Sequence, residues 1–230
     1  MPIAVTDQGN GYATTVSTLY LTFLANVAAG SLIVVLVVDF GGMGTVSDGL
    51  GNTYTKVAQV SVAGGPGQVA IFYAWNCAAI SAGQNIQYNK FDSSNGAVAT
   101  AISATGIRKF SNPLDGSVTA TNTAANTATP TVTTGTPARS NDLLVTALAW
   151  QNGGTTGFTQ AAGWNSPPNV GDASAIGVEI AGGSKVQATK AAQTYTPTVT
   201  AMTTAYGMVA AGFYDDTPPA RVGNMPMMGL

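Results

Sequence analysis

One stretch decides the fold: Gly30-Ser31-Leu32-Ile33-Val34-Val35-Leu36-Val37-Val38-Asp39-Phe40, followed by Val46-Ser47-Asp48-Gly49-Leu50-Gly51-Asn52-Thr53-Tyr54-Thr55-Lys56-Val57-Ala58. The first part is a β-branched apolar run between glycines, a pattern typical of a strand buried on both faces. The second part is a turn cluster that leads into alternating residues, as at the start of an exposed strand. We therefore predict two strands here, the first of them central to a sheet.

A weaker copy of this pair follows in the second half of the chain. Asn141 to Trp150 matches Gly30 to Phe40, and Thr155 to Ala162 matches Gly51 to Ala58. Later strand-like segments recur in the same order, at offsets of about 104 to 111 residues. The chain has no repeat of about 20–50 residues, so a solenoid is excluded. The pattern predicts an internal pseudo-duplication.

The predicted fold is all-β, a two-sheet antiparallel jelly-roll sandwich with extended terminal arms. Either each half is a small sandwich, or the strands of both halves interleave in one. Each half offers only about five strands with edges that need cover, which favours the interleaved form. The expected parts are an N-terminal arm or edge strand (1–15), one sandwich (16–215) with pseudo-repeats at about 16–107 and 141–214, a Thr-rich crossover (108–140), and an extended tail (216–230).

Charge is scarce in this chain. It has eight Lys plus Arg and ten Asp plus Glu in 230 residues, with a net charge of −2. We therefore expect no nucleic acid and no anionic membrane as a partner. A neutral polar surface has little self-repulsion and tolerates close packing against copies of itself.

The apolar stretch from Val16 to Val38 contains Ser17, Thr22 and Asn26, which favour two strands over a membrane span. The N-terminus has neither a basic segment nor a continuous apolar one, so we expect no signal peptide.

The sequence contains no recognisable catalytic motif. It has no histidine, which excludes Ser-His-Asp and Cys-His catalysis and argues against zinc. The one cysteine, Cys77, lies in an apolar run and reads as a small buried hydrophobe. Glycoside hydrolysis needs two carboxylates, whereas Glu179 stands alone among apolar neighbours and is expected to face outward from a strand. We predict a non-enzyme without a cofactor.

Two sets of residues are weak candidates for ligand binding. Trp164 lies in a loop and could stack on a sugar ring, whereas Trp75 and Trp150 are expected in the core. Asp48 and Asn52 carry oxygens that suit Ca²⁺, although a turn formed by the Asp side chain is favoured over a metal site.

The C-terminal tail is the candidate assembly element. Pro218 and Pro219 favour a polyproline-like path. They are followed by adaptable apolar side chains: Val222, Met225, Met227, Met228 and Leu230. We expect this tail to dock on a neighbouring subunit.

Five segments together carry a resemblance: Gly30-Ser31-Leu32-Ile33-Val34-Val35, Asp48 with Gly51-Asn52-Thr53-Tyr54-Thr55, Ile71-Phe72-Tyr73-Ala74, Asn141-Asp142-Leu143-Leu144-Val145, and Gly157-Phe158-Thr159. As a set, spanning residues 16 to 214, they resemble a group of lectin-like jelly-roll domains in phage virion proteins and bacterial surface proteins. The resemblance implies a fold and a setting. It implies no catalytic residues.

The expected function is therefore that of a phage virion structural protein at the particle surface. We expect a capsid decoration or cement subunit, or a head or tail fibre component, whose partners are other virion subunits and copies of itself. The alternative is a carbohydrate-binding adhesin that binds a host surface glycan around Trp164. A glycan-cleaving enzyme that uses Glu179 is a third hypothesis.

Overall fold

The computed structural model describes residues 2–13, 16–63, 67–124, 127–151, 157–166, 170–173, 178–199 and 205–217. Within these ranges every regular element is a β-strand and every strand pair is antiparallel, which confirms the all-β prediction. No helix in the described ranges is long and apolar enough to cross a membrane.

The first half of the chain forms one large and one small sheet. Its strands are β1 (Ala4–Ala13), β2 (Thr18–Thr22), β3 (Leu32–Asp39), β4 (Thr45–Asp48), β5 (Thr55–Ser61), β6 (Gln68–Ala74), β7 (Asn85–Asn89) and β8 (Ala97–Thr105). The first large sheet has the order β1-β8-β3-β6-β5, and the first small sheet has the order β2-β7-β4. The strand predicted from Ser31 to Phe40 is thus the middle strand of five.

The second half forms one large sheet and two short pairs. Its strands are β9 (Leu114–Ala124), β10 (Val132–Thr133), β11 (Asp142–Gln151), β12 (Phe158–Thr159), β13 (Val170–Ala173), β14 (Val178–Gln187), β15 (Thr194–Tyr195), β16 (Thr198–Val199) and β17 (Tyr206–Phe213). The second large sheet has the order β13-β14-β11-β17-β9, and the short pairs are β10-β15 and β12-β16. Its first strand, β9, comes from the segment expected as a crossover.

The sheets stack in four layers around three cores. In β3, Leu32, Val34 and Leu36 face a central core shared with the second large sheet, while Ile33 and Val35 face a first outer core under β2-β7-β4. In β11, the odd-numbered residues face the central core and Leu144 and Leu148 face a second outer core under the short pairs. Because neighbouring side chains of a strand point to opposite faces, both central strands are apolar along most of their length.

The two halves do not interleave, in contrast to the arrangement that the sequence favoured. Every described sheet combines strands from one half only, and the halves meet face to face across the central core. One sheet edge is covered instead by contact between the two halves. Strand β5, at the edge of the first large sheet, packs against β9 and β17 of the second.

Both central strands begin after a residue with a left-handed backbone. Gly30 has φ +80° before β3, and Asn141 has φ +65° before β11. Asn and Gly are the residues that adopt this region most readily. The backbone amide of each residue donates a hydrogen bond to the neighbouring strand's end region. The Gly30 amide donates to the Cys77 carbonyl, just beyond β6, and the Asn141 amide donates to the Gln187 carbonyl, at the end of β14.

Candidate functional site

The outward face of the first small sheet carries no charged side chain. Burial alternates along β2, so that Leu19 and Leu21 point into the first outer core and Tyr20 points outward. The register then places the outward residues in rows across β2, β7 and β4: Thr18 with Asn89 and Thr45, Tyr20 with Gln87 and Ser47, and Thr22 with Asn85. These side chains are hydroxyls and amides.

Neutral hydrogen bonds join side chains within and between these rows. The Thr22 hydroxyl donates to the Asn85 amide oxygen at 2.8 Å, and the Asn89 amide donates to the Ser47 hydroxyl at 3.0 Å. Cross-strand pairs of this kind hold side chains in fixed positions on a sheet. The face is therefore ordered as well as uncharged.

Large apolar side chains flank this same face. Within the described residues seven large hydrophobics are exposed, and four of them are Val16, Tyr20, Leu24 and Phe91. The first three continue the outward alternation along β2, and Phe91 follows the end of β7. Leu24 is 68% exposed and Phe91 is 78% exposed. Four of the seven exposed large hydrophobics thus lie on or next to one sheet face, which favours this face as an interaction surface.

The opposite outer face of the molecule is also uncharged along its strands. The outward residues of β10, β12, β15 and β16 are all threonine: Thr133, Thr159, Thr194 and Thr198. The Thr133 and Thr194 hydroxyls lie 3.0 Å apart, and those of Thr131 and Thr196 lie 2.9 Å apart. Two neutral faces thus bound the four layers.

Trp164 is buried, and the expectation of an exposed loop residue is wrong. The indole is 6% exposed and packs edge-on against Tyr195, with ring centroids 5.0 Å apart. Two backbone hydrogen bonds between Asn165 and Ser184 hold its loop on β14. A ring packed in this way presents no free face to a sugar. Trp150 lies in the second outer core and Trp75 packs against the central core, as predicted.

Asp48 closes a turn. Its carboxylate accepts hydrogen bonds from the Leu50 and Asn52 amides, the Asn52 side chain and the Tyr54 hydroxyl, at 2.7 to 3.2 Å. The Asn52 side-chain oxygen accepts from the Ala78 amide. These donors occupy the oxygens that a Ca²⁺ ion would need. Across the described chain, no group of three or more His, Cys, Asp or Glu is placed to hold a metal ion.

Neither of the remaining reactive candidates is accessible. Glu179 is buried opposite Trp150, whereas it was expected to face outward. Cys77 is buried, and burial raises the pKa of its thiol to about 12, which leaves it protonated and unreactive at neutral pH.

A buried carboxyl pair lies at the end of the second large sheet, and sequence reasoning missed it. Asp115 is the second residue of β9 and accepts hydrogen bonds from Ser117 and the Ala138 amide. The Asp142 carboxyl is fully buried beside it. Burial, Asp115 and the nearby Asp215 raise the pKa of Asp142 to about 7. The pair therefore holds one proton between two carboxyl groups near neutral pH.

Next to this pair, Tyr214 follows the last strand of the second large sheet, and its ring lies near two arginines. The guanidinium carbon of Arg108 lies 4.4 Å from the centre of the Tyr214 ring, and that of Arg139 lies 5.1 Å from it. Such contacts restrain both the cations and the ring. A cavity of about 400 Å³ opens beside them, lined by Pro2, Ile3, Asn141, Val186, Asp215 and Thr217.

The predicted assembly residues of the tail lie outside the described residues; they are Pro218, Pro219, Val222, Met225, Met227, Met228 and Leu230.

Comparisons with protein-family models, with curated proteins and with solved structures found no match to this chain.

Proposed function

We propose that the chain is a non-enzymatic structural protein of a phage virion, a decoration or cement subunit on the capsid surface. A component of a head or tail fibre is the second form of this proposal. In either setting the protein acts by packing its outer faces and its tail against neighbouring subunits.

The observation that carries the proposal is the pair of uncharged outer faces. Steering of a charged ligand needs charge at the binding surface, whereas these two faces present hydroxyls and amides, and the first has four exposed large side chains on or beside it. Neutral, ordered faces approach each other without desolvating ions, which favours dense assembly. A stable contact needs to bury about 1,000 Å² or more in total.

We further propose that each half is a jelly roll derived from one ancestral unit. Both large sheets put the first strand of their half at an edge, β1 or β9, next to the last, β8 or β17. Both have the apolar central strand, β3 or β11, in third place. The matching left-handed residues Gly30 and Asn141 support the same origin.

The adhesin alternative loses its main support with the burial of Trp164. No described tryptophan is among the exposed large side chains. A glycan could still be a minor ligand of the hydroxyl-rich faces, but assembly accounts for the apolar side chains beside them as well.

Co-sedimentation with phage particles tests the proposal. The particles are those of the phage whose genome encodes the chain, stripped of their own copies. We expect the purified protein to pellet with them, and Tyr20→Asp to weaken binding tenfold or more, because a charge would be desolvated on the neutral face. Tenfold corresponds to about 1.4 kcal/mol.

Leu50→Asp is the matched control, since Leu50 is also exposed but lies in the turn after β4. It should bind like the wild type. The proposal fails if the wild-type protein stays in the supernatant, or if both variants bind as well as it does.

A further inference from the structure

The end of the second half pairs with the segment that joins the two halves. That joining segment is residues 106–113, between β8 and β9, and residues 214–217 follow the last strand, β17. Three backbone hydrogen bonds of 2.8 to 3.1 Å connect the two segments: the Arg108 amide donates to Tyr214, the Asp216 amide to Gly106, and the Tyr214 amide to Pro113. We call residues 214–217 the latch.

The latch is held less firmly than the sheets beside it. Ile107 and Asp215 form an isolated antiparallel bridge, whereas β11 pairs with β14 along its whole length. Segments with few hydrogen bonds open at a lower free energy than the strands of a core. The latch can therefore open while both large sheets stay folded.

The register of the second large sheet places Asp142 next to the latch. Because Leu143 lies opposite Phe213 in the β11-β17 pair, the residue before Leu143 lies beside Tyr214, the first residue of the latch. The Asp142 carboxyl is fully buried there, and its partner across β14 is the uncharged Gln187. An ionised carboxylate at this position is therefore buried directly beside the latch.

Three carboxyl groups meet at this position. Asp142 faces Asp115 from β9 and Asp215 from the latch, and both of these side chains are buried as well. The Arg139 guanidinium faces Asp142 with the opposite charge. Tyr214 stays uncharged, because burial and Asp115 raise the pKa of its hydroxyl. With Asp142 ionised, three buried carboxylates share the Arg139 guanidinium, so like-charge repulsion acts on the latch through Asp215.

We propose that the latch is a pH-sensitive switch, closed while Asp142 is protonated and opened when Asp142 is ionised. Asp115 and Asp142 are fixed in strands of the second large sheet, whereas Asp215 belongs to the latch. An outward movement of residues 214–217 separates Asp215 from the other two carboxylates and admits water to the buried charge. The switch is a property of the fold, and it does not depend on the virion assignment.

The pH range follows from the pKa of Asp142. Burial and Asp115 raise this pKa to about 7 in the closed form, against 3.8 ordinarily. Water that enters the open form brings the pKa back towards its ordinary value. The protonated carboxyl therefore stabilises the closed form fully below pH 3.8, and this stabilisation is lost as the pH rises through 7. One proton changes the opening equilibrium by at most about tenfold per pH unit.

Amide hydrogen exchange of the full chain tests the switch, with each amide resolved by NMR and its rate corrected for the intrinsic effect of pH. Protection of the Arg108, Tyr214 and Asp216 amides should fall by about tenfold or more between pH 5 and 8. At every pH these amides should be at least about tenfold less protected than those of β11, which exchange by global unfolding. Protection that does not change with pH overturns the proposal, and so does equal protection of the two sets.

Three variants assign the effect to particular carboxyl groups. Asp142→Asn does not titrate, so protection of its latch amides should stay constant over this range, and a loss equal to that of the wild type overturns the proposal. Asp215→Asn removes a facing carboxylate and should show a smaller loss than the wild type. Asp216→Asn is the matched control and should behave like the wild type, because Asp216 is not among the charges that act on Asp142. Should Asp142→Asn fail to fold, the other two variants decide, and identical profiles for them overturn the proposal.

Discussion

The Asp142 carboxyl lies fully buried beside that of Asp115, and no hydrogen-bond donor within the described ranges reaches either of its oxygens. A buried carboxylate without donors is strongly unfavourable, so Asp142 keeps its proton and shares it with Asp115. Burial opposes ionisation of Asp115 as well, but hydrogen bonds from Ser117 and the Ala138 amide hold its pKa below the usual value.

The pair predicts a stability that depends on pH. Asp142 has a pKa of about 7 when folded, against 3.8 normally, so its contribution is complete below pH 3.8 and is lost as the pH rises through 7. One such group changes the free energy of unfolding by at most about 1.4 kcal/mol per pH unit. Denaturant unfolding between pH 5 and 8.5 should therefore show falling stability.

Asp142→Asn is the matching variant, because an amide donates to Asp115 without titrating. Its stability should fall less steeply with pH than that of the wild type. Asp39, whose pKa burial also raises, contributes in the same direction to both proteins and does not affect the comparison. Parallel pH profiles for the two proteins would show that Asp142 is ionised throughout.

Tyr88 is expected to stabilise the first outer core through its hydroxyl. That hydroxyl donates to the buried Asp39 carboxylate at 2.7 Å and accepts from the Gly44 amide at 2.7 Å. Tyr88→Phe should lower the free energy of unfolding by about 1–3 kcal/mol, because buried polar groups lose their partner. Tyr20→Phe, at an outward position in the next row of the same sheet, should change it by less than about 0.5 kcal/mol. Equal effects in urea unfolding would contradict this.

Trp164 should affect stability and not glycan binding. Trp164→Ala removes a ring packed on Tyr195 and should destabilise the fold by about 3–5 kcal/mol. On a glycan array, we expect the wild-type protein to bind no glycan through the Trp164 ring. A stable Trp164→Ala protein that has lost binding to a specific glycan would restore the adhesin hypothesis.

Glu179 should have no part in hydrolysis. It is buried opposite Trp150, and a glycosidase needs a second carboxyl group at a defined distance. Incubation with bacterial surface glycans should release no reducing ends, with wild type or with Glu179→Gln. Release by the wild type that Glu179→Gln abolishes would establish an enzyme.

The sequence predicted the strands better than their partners. The runs at 31–40 and 141–150 correspond to β3 and β11, since β-branched residues between turn residues identify a buried strand locally. Interleaving was wrong because pairing depends on contacts between distant segments. The segment at 108–140 contributed the eleven-residue strand β9 despite its few large apolar residues, because Asp115 and Val118 are buried there.

The site residues illustrate the same limit. The sequence separates Asp115 from Asp142 by 27 positions (142 − 115), and only the pairing of β9 and β11 with β17 brings them together. Trp164 had one usable signal. Gly183 lies within β14, and a side chain there would come within 3.1 Å of the indole, so the glycine marks a close approach by another group.

A cryo-electron microscopy reconstruction of particles that carry this protein tests the central claim most directly. The account predicts copies on the capsid surface, or along a head or tail fibre, with the β2-β7-β4 face or the threonine face against a neighbouring subunit. Particles without density for the chain, or density in which both neutral faces meet only solvent, would contradict it.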